Sequence, residues 1–264
     1  MSAREKTLIE LEGFALELAH TAGGIAEAYF RSHFQVDNKD ADGFDPVTSA
    51  DHAIEKVLRE TIQSAYPDHD IIAEESESKV TNAEYCWYID PIDGTRAFLM
   101  GSPLWGTLIG LSVSGRAVFG LLAQPVLGEL FFGSPAGSWL IKADGRERLK
   151  SSECGEIAKA RLASTHPGLF SPDEGAAFNR LAAACLLDRF GGDCYNYAML
   201  AAGFVDVVAE AGLNPFDIVP LVPILENAGC VVTTWDGRSV LDGGNVLAAA
   251  SPALHVEALE LLNA

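Results

Sequence analysis

Apolar positions in the first part of the chain repeat with the period of an α-helix. From residue 5 to residue 33 they fall three or four positions apart, in the series Leu8, Leu11, Ala15, Leu18, Ala22, Ile25 and Tyr29. The same spacing returns after residue 48, in the series Ile54, Val57, Leu58, Thr61 and Ala65, and Pro67 follows. One face of each segment can therefore be buried against a core. We predict two amphipathic helices joined by a loop that contains Asp40, Asp42 and Gly43, the second helix ending before Pro67.

The periodicity changes after Pro67. Short apolar runs at residues 70–73 and 85–89 predict strands. Runs at residues 106–113, 117–124 and 128–133 alternate with Gly- and Pro-containing turns. Such a succession is typical of a meander of antiparallel strands.

The second half of the chain alternates between strands and helices. Apolar strands are predicted near residues 161–164, 205–209, 230–233 and 246–250, and helices near 174–187, 195–203, 215–228 and 252–263. This alternation is typical of α/β architecture. A segment at residues 142–155 is rich in Lys, Gly, Ser and Glu, and it predicts a division into two halves, residues 1–145 and 146–264.

Composition restricts the class of protein. The chain has 264 residues, of which 48% are hydrophobic and 21% charged, as in an ordinary globular protein with a buried core. No apolar run approaches the length of a membrane span, and charged residues interrupt the first twenty positions, unlike a signal peptide. Five cysteines without CxxC spacing favour neither a disulfide framework nor a zinc site. We expect a cytoplasmic protein.

Charge narrows the choice of partners. A net charge of −19 repels nucleic acid and anionic membranes, so neither is predicted as a partner. Such a chain can attract divalent cations or a cationic substrate, although solubility accounts for most of the charges.

The strongest chemical signal is the run Trp87-Tyr88-Ile89-Asp90-Pro91-Ile92-Asp93-Gly94-Thr95. An apolar strand leads directly into two carboxylates, and Gly94 permits a tight bend into a helix that begins at Thr95. Carboxylates and an intervening carbonyl at a strand end are hard oxygen ligands that suit Mg²⁺. The N–H groups that begin the next helix can receive a phosphate. Taken alone, however, Asp-Gly is usually a solvated turn.

Two further acidic positions strengthen this interpretation. Glu74 and Glu75 follow the strand of residues 70–73, although adjacent glutamates are often only surface residues. Asp217 stands at the start of an apolar helix, where it could also be an ordinary capping residue. Three acidic clusters at strand ends or helix starts are what a multi-metal phosphate site requires.

These motifs together resemble the inositol monophosphatase family of magnesium-dependent phosphatases. The resemblance rests on the DPIDGT run, the upstream AEES, the later Phe216-Asp217 and the helix that ends at residues 226–229. Phe216 stands where the family often has Trp, and Cys230 replaces a Gly of the family pattern. The fold implied is a layered α/β (α+β) sandwich, with two helices on an antiparallel sheet, a second sheet between helices, and the metal site between the halves. The family is commonly dimeric, which implies a homodimer.

The resemblance also implies roles for individual residues. One Mg²⁺ would be bound by Glu74, Asp90 and the Ile92 carbonyl, a second by Asp90, Asp93 and Asp217, and a weaker third by Glu74 and its water shell. Thr95 and Asp51 would orient the attacking water, and the N–H groups of Gly94 and Thr95 would bind the phosphate. Asp51 also has a simpler interpretation as a helix-start acid. The six histidines show no ligand spacing, and we predict a surface or core role for each.

Two stretches of the sequence give information on the identity of the substrate. We expect the substrate to be a small phosphate ester. The PLWGT run at residues 103–107 and the GGDCY run at residues 191–195 resemble the histidinol-phosphatase branch of the family. By family alignment, Asp193 and Glu210 face the organic part of the substrate. Two carboxylates suit a protonated amine and an imidazole N–H, which inositol lacks. Asp193 could instead cap the helix that begins near Cys194.

The leading prediction is therefore hydrolysis of L-histidinol phosphate in histidine biosynthesis. Inositol-1-phosphate or a range of sugar phosphates are alternative substrates within the class. Bisphosphate substrates are disfavoured because no Lys/Arg cluster is evident. A non-catalytic Mg²⁺- or phosphate-sensing protein of the same fold is the alternative from another class. The presence of every expected ligand and of Thr95 and Asp51 weighs against it.

Overall fold

The computed structural model describes residues 3–32, 36–38 and 46–264. It begins with helix α1 (Ala3–Tyr29), a two-stranded antiparallel ladder of β1 (Val36–Asn38) and β2 (Pro46–Thr48), and helix α2 (Ser49–Ala65). The predicted loop with Asp40, Asp42 and Gly43 lies outside the described residues.

The predicted end of the first helix, at residue 33, was too late. Helix α1 ends at Tyr29, and Arg31 has a φ of 57°, which leaves the helical conformation. The guanidinium of Arg31 donates two hydrogen bonds to the Gly101 carbonyl, at 3.0 and 2.8 Å. This tertiary contact lies directly after the end of the helix. Helix α2 ends before Pro67 as predicted.

The N-terminal half contains a seven-stranded sheet whose strands lie in sequence order. The strands are β3 (Asp70–Ala73), β4 (Tyr85–Asp93), β5 (Gly106–Val113), β6 (Arg116–Gln124), β7 (Glu129–Ser134), β8 (Gly137–Lys142) and β9 (Gly145–Arg148), with helix α3 (Thr95–Leu99) between β4 and β5. The predicted meander and the helix start at Thr95 are confirmed. Strands β3 and β4 are parallel rather than antiparallel. Their carboxyl ends therefore meet at one edge of the sheet.

The C-terminal half contains a five-stranded mixed sheet. Its strands are β10 (Arg161–Ser164), β11 (Leu187–Phe190), β12 (Val207–Leu213), β13 (Val231–Thr234) and β14 (Gly244–Ala249), in the order β11-β10-β12-β14-β13. Its helices are α4 (Pro172–Ala184), α5 (Cys194–Ala201), α6 (Pro215–Ile218), α7 (Val222–Ala228) and α8 (Pro252–Leu262).

Two predictions in this half were wrong in detail. Strand β11 was not predicted, because the helix was expected to continue to residue 187, whereas α4 ends at Ala184 and Cys185 is extended. The predicted single helix of residues 215–228 is two helices. Pro220 and Pro223 lack the N–H group that an unbroken helix needs there.

The elements stack in five layers. Helices α1 and α2 pack on one face of the seven-stranded sheet, and α5, α6 and α7 lie between that sheet and the five-stranded sheet. Helices α4 and α8 cover the outer face of the five-stranded sheet. The predicted layered sandwich is confirmed. None of the described helices is both long and apolar enough to cross a bilayer.

Three glycines let the middle layer approach the larger sheet closely. Gly110, Gly120 and Gly133 lie side by side on β5, β6 and β7. A Cβ at Gly110 would come within 2.8 Å of the Pro220 Cα, and one at Gly120 would overlap the Pro220 carbonyl. A Cβ at Gly133 would overlap the backbone of Ile224. This glycine groove therefore determines how near α6 and the start of α7 lie to the sheet.

Candidate active site

Each of the two sheets has a bulged strand where it borders the same cavity. On β4, Asp90 pairs with Leu108 and Asp93 with Gly106, so two residues of β4 stand opposite one of β5. The Thr107 hydroxyl donates to the Pro91 carbonyl at 2.8 Å and holds this bulge. Strand β12 has a similar irregularity between Glu210 and Leu213. Bulges re-aim side chains at strand ends, and here they border the candidate site from both sheets.

A cavity of about 330 Å³ brings most of the predicted site residues together. They are Glu74, Asp90, Ile92, Asp93, Gly94, Thr95, Asp193, Glu210 and Asp217. Asp51 is not part of the cavity wall. The wall therefore combines residues from the end of the seven-stranded sheet with residues from the C-terminal half.

The carboxylates in this cavity shift one another's pKa values. Burial raises the pKa of Asp90 well above its usual range, and the negative charges of Glu74, Asp93 and Asp217 raise it further. Burial also raises the pKa of Asp93, with added contributions from Asp193 and Asp217. Side chains from β4, from α6, from the residue after β3 and from the residue before α5 thus form one electrostatic cluster.

The donor chemistry of this cluster fits a hard cation. The Oδ1 atom of Asp90 is buried and has no hydrogen-bond partner, which is costly unless another group satisfies it. Carboxylate oxygens are the ligands that Mg²⁺ prefers. Within the described ranges, no three His, Cys, Asp or Glu side chains already converge with the geometry of a metal site. The fit to a hard cation therefore rests on the chemistry of the donors that line the cavity.

The turn from β4 into α3 depends on Gly94. This residue has a φ of 90°, and a Cβ there would lie 2.9 Å from the Leu104 carbonyl and 3.2 Å from the Asp193 Cβ. A side chain at this position would be both strained and crowded. Helix α3 begins at the next residue, Thr95, whose hydroxyl donates to the Ile92 carbonyl at 3.1 Å.

Asp51 combines a structural contact with an unsatisfied atom. Its Oδ2 accepts hydrogen bonds from the Thr48 hydroxyl and from the Thr48 N–H at 2.8 Å, so it caps the start of α2. Its Oδ1 is buried without a partner. Burial raises the pKa of Asp51 to about 6, and the charge of Glu74 adds to the shift. The helix-start role is confirmed, and the pairing with Thr95 stays a prediction.

Asp193 does not cap helix α5. It occupies the position before the helix with a φ of 46°, and its side chain makes no capping hydrogen bond. The alternative interpretation of Asp193 as a helix cap was therefore wrong. Burial raises the pKa of Asp193 to about 6, while the positive charge of Arg96 acts in the opposite direction.

Glu210 is a second buried carboxylate in the same cavity. Its Oε1 accepts a hydrogen bond from the Thr165 hydroxyl at 2.6 Å, and its Oε2 accepts one from the Tyr197 hydroxyl at 3.5 Å. Burial raises the pKa of Glu210 to about 7, although the Thr165 hydrogen bond opposes the shift. Tyr197 is therefore a cavity residue, whereas the hydroxyl of Tyr195 donates to Glu129 instead, at 2.6 Å.

Asp217 caps a helix and also lines the cavity. Its Oδ2 accepts the Asn214 N–H at 2.7 Å, which is a capping contact at the start of α6. Its negative charge nevertheless acts on Asp90 and Asp93, and its side chain lines the cavity. A capping residue and a metal ligand are therefore compatible at this position.

Sequence reasoning missed part of the cavity wall. Arg96 lines it, as do the last residue of β10, Ser164, and the connection from β10 to α4, which contributes Thr165, His166, Leu169 and Phe170. His166 was predicted as a surface or core residue, and it is exposed at the rim. The available signal was positional, because this loop follows a strand end, as the DPIDGT run does.

Comparison with known proteins agrees with this architecture. The model of the inositol monophosphatase family matches residues 8–264. The bifunctional phosphatase IMPL2 of Arabidopsis thaliana is 38% identical, over 99% of this chain and 78% of its own length. The histidinol-phosphatase of Chlorobaculum parvum is 33% identical, over 89% of this chain and 90% of its own. A solved inositol monophosphatase from Zymomonas mobilis has a TM-score of 0.86 and 33% identity, with complete coverage of both chains.

The fold, the carboxylate-lined cavity and these matches define the class of protein: it is a phosphatase. More specifically, the chain belongs to the inositol monophosphatase family, which is generally metal-dependent.

Proposed function

We propose that this phosphatase is a Mg²⁺-dependent phosphomonoesterase that hydrolyses L-histidinol phosphate to L-histidinol and phosphate. The observation that carries the proposal is a second pair of buried carboxylates, Asp193 and Glu210, in the same cavity as the acidic cluster. The cluster accounts for a metal-dependent phosphatase. The additional pair suits a substrate that brings its own positive charge.

Glu74, Asp90, Asp93, Asp217 and the Ile92 carbonyl would hold the metal ions, two to three for each site. The unpartnered Oδ1 of Asp90 supports this assignment. When bound, Mg²⁺ supplies Lewis acidity toward the phosphate and lowers the pKa of a coordinated water.

The protein's own groups position the reactants. The Thr95 hydroxyl would hold the attacking water if it turned from the Ile92 carbonyl and donated a hydrogen bond to Asp51. The buried Oδ1 of Asp51 has no partner and could accept that hydrogen bond. The N–H groups of Gly94 and Thr95 would bind the phosphate, since they begin a helix at the cavity wall.

The organic part of the substrate would meet the second carboxylate pair. Asp193 is suited to the ammonium group of histidinol, and Glu210 is suited to the imidazole N–H. Thr165 and Tyr197 hold Glu210 in place, so little side-chain freedom would be lost on binding. Two relatives support this choice by name, the histidinol-phosphatases of Chlorobaculum parvum and Mycobacterium tuberculosis, at 33% and 31% identity.

Inositol monophosphate hydrolysis is the second candidate. The likeness to the Zymomonas mobilis inositol monophosphatase over the whole chain favours it. The charge of the cavity does not, because inositol has no cation to pair with Asp193 or Glu210.

One experiment distinguishes the two candidate substrates. Phosphate release is measured from L-histidinol phosphate and from inositol-1-phosphate at equal concentrations with Mg²⁺, and again after chelation with EDTA. We expect a higher kcat/KM for histidinol phosphate and loss of both activities with EDTA. A preference for inositol phosphate would overturn the substrate assignment while leaving the phosphatase assignment in place.

A further inference from the structure

Glu55 is a buried carboxylate with no assigned role in the reaction. It lies on helix α2 beside the core residues Ile54 and Leu58, and its side chain is only 3% exposed. It is not part of the cavity wall. Burial of a carboxylate is costly unless its oxygens are satisfied. The contacts of the Glu55 carboxylate should therefore explain why it is buried.

Those contacts are made with the segment that directly follows Glu74. The Glu55 Oε2 accepts the Glu75 N–H at 2.6 Å, and the Oε1 accepts the Ser76 hydroxyl. Arg59, one turn further along α2, lies 3.4 Å from Oε1 and balances the charge. Both oxygens of Glu55 are thus engaged, and two of their three partners belong to the loop after β3.

The result is that Glu74 is held on both sides. Its own N–H donates to the Ile89 carbonyl at 3.3 Å, which ties it to β4. The following peptide N–H, that of Glu75, is tied to α2 through Glu55. Asp51 lies four residues before Glu55 and therefore on the same face of α2. One rigid helix thus carries both Asp51 and the group that anchors the Glu74 loop.

We propose that Glu55 is a positioning residue that sets the metal affinity of the site by fixing the backbone after Glu74, without contacting the metal or the substrate. The inference rests on the proposed role of Glu74 as a metal ligand. It does not depend on which phosphate ester is hydrolysed.

Direct metal binding tests this role in the substrate-free, full-length protein. Mn²⁺ serves as the probe because it accepts the same oxygen ligands, and its free concentration is measured by electron paramagnetic resonance. The variants are Glu55→Ala, Glu55→Gln, Ser76→Ala and, as a reference for loss of a ligand, Glu74→Gln. Glu60→Ala is the matched control, since Glu60 is an exposed acid on the same helix.

We expect Glu55→Ala to weaken Mn²⁺ binding about 10- to 100-fold, the usual effect of removing a group that orients a ligand. Glu55→Gln keeps an oxygen for the Glu75 N–H and should recover part of the affinity. Ser76→Ala removes one contact and should have a smaller effect, and Glu60→Ala should have none. The Mg²⁺ concentration for half-maximal phosphate release should rise in parallel, with kcat at saturating Mg²⁺ close to that of the parent.

The outcomes separate this proposal from the proposed function. Parent-like Mn²⁺ affinity in both Glu55 variants, alongside weakened binding in Glu74→Gln, would overturn the positioning role alone. A lower melting temperature without any change in affinity would show that Glu55 is merely structural. If Glu55→Ala does not fold, Glu55→Gln and Ser76→Ala decide by the same criterion. Failure of the parent to bind Mn²⁺ would overturn this role together with the metal assignment, and a preference for inositol phosphate would leave it standing.

Discussion

Backbone strain and charge coincide at Asp193. A non-glycine residue with a φ of 46° and a ψ of −137° lies in a sparsely populated region, which costs about 1–3 kcal/mol. Glycine adopts positive φ values more easily, and Gly191, two residues earlier, has a φ of 83°. The carboxylate lines the cavity and makes no capping bond. These features agree with a side chain retained for binding rather than for stability.

Replacing Asp193 by Asn should therefore affect one class of substrate. The change preserves volume and removes the charge that would meet the ammonium of histidinol. A hydrogen bond to a charged group contributes about 1.5–3 kcal/mol, so kcat/KM for histidinol phosphate should fall roughly ten- to a hundredfold. An uncharged polyol phosphate should be hydrolysed almost as before. Initial rates on both esters measure the effect, and equal losses on both would assign Asp193 a structural role.

At the scale of elements, the glycine groove sets how near the connection between α6 and α7 and the start of α7 lie to the seven-stranded sheet. Gly120→Ala would insert a methyl group into the backbone of Pro220. Overpacking of this kind costs about 1–3 kcal/mol or more in the free energy of unfolding. Urea unfolding measures the loss. Gly24→Ala is the matched control, because Gly24 lies in α1 with no atom near its Cβ position, and alanine there should stabilise the helix by about 0.5–1 kcal/mol. Parent-like stability of Gly120→Ala would show that the groove is not tightly packed.

The junction of α2 and β3 contains a histidine held in its neutral form. His69 stacks between Tyr66 and Tyr85, with ring centroids 4.8 and 4.7 Å away. The Trp87 indole N–H donates to its Nδ1 at 3.0 Å, which requires that nitrogen to be unprotonated. Burial lowers the pKa of His69, Lys79 lowers it further, and Asp68 opposes the shift.

This lowered pKa predicts a loss of stability in mild acid. As the pH falls below the ordinary histidine pKa of 6.5, the unfolded chain binds a proton before the folded protein does. The free energy of unfolding should therefore fall from pH 7 toward the lowered pKa of the folded state. In His69→Phe the ring stack remains and this contribution disappears. The stability difference between parent and variant should shrink as the pH drops. A difference that is constant with pH would contradict the prediction.

The local hydrophobic pattern predicted most of the helices and strands but not their irregularities. The helical spacing around Ile54 and the apolar run before Asp90 predict elements that the structure contains. The apolar run, however, ends at Ile89, whereas β4 continues through a bulge to Asp93 because β5 pairs with it. Strand β11 carries Asp188 and Arg189 and is mostly exposed, so its short sequence gives little strand signal. Pairing partners far along the chain decide such features, and local periodicity does not contain them.

The same limit applies to predicting the residues of the site from the sequence. Asp90 and Asp93 could be recognised as ligand candidates because they stand side by side in one motif. The wall formed by Thr165 and Phe170 could not, since those residues reach the cavity only through the packing of the second sheet. Arg96 directly follows the motif, yet its effect on Asp193 depends on how α3 and α5 meet.

At the scale of the whole molecule, the acidic cluster is made of residues from both halves. Glu74, Asp90 and Asp93 belong to the seven-stranded half, and Asp217 belongs to the half with the second sheet. In a chain with a net charge of −19, these carboxylates oppose the close approach of the halves unless a cation offsets them. Metal binding should therefore contribute to stability as well as to catalysis.

Mg²⁺ should stabilise the folded protein in the absence of substrate. A ligand at a hundred times its dissociation constant adds about 2.7 kcal/mol, which for a chain of this size corresponds to a rise in melting temperature of roughly 5–10 °C. Differential scanning calorimetry with Mg²⁺ and with EDTA, at matched ionic strength, measures it. Asp90→Asn removes one charge from the cluster, so its metal-free form should melt above that of the parent while its response to Mg²⁺ is largely lost. A parent that melts at the same temperature in Mg²⁺ and EDTA would contradict a metal site at the junction of the halves. An undiminished response in Asp90→Asn would place the stabilising ions elsewhere on the acidic surface.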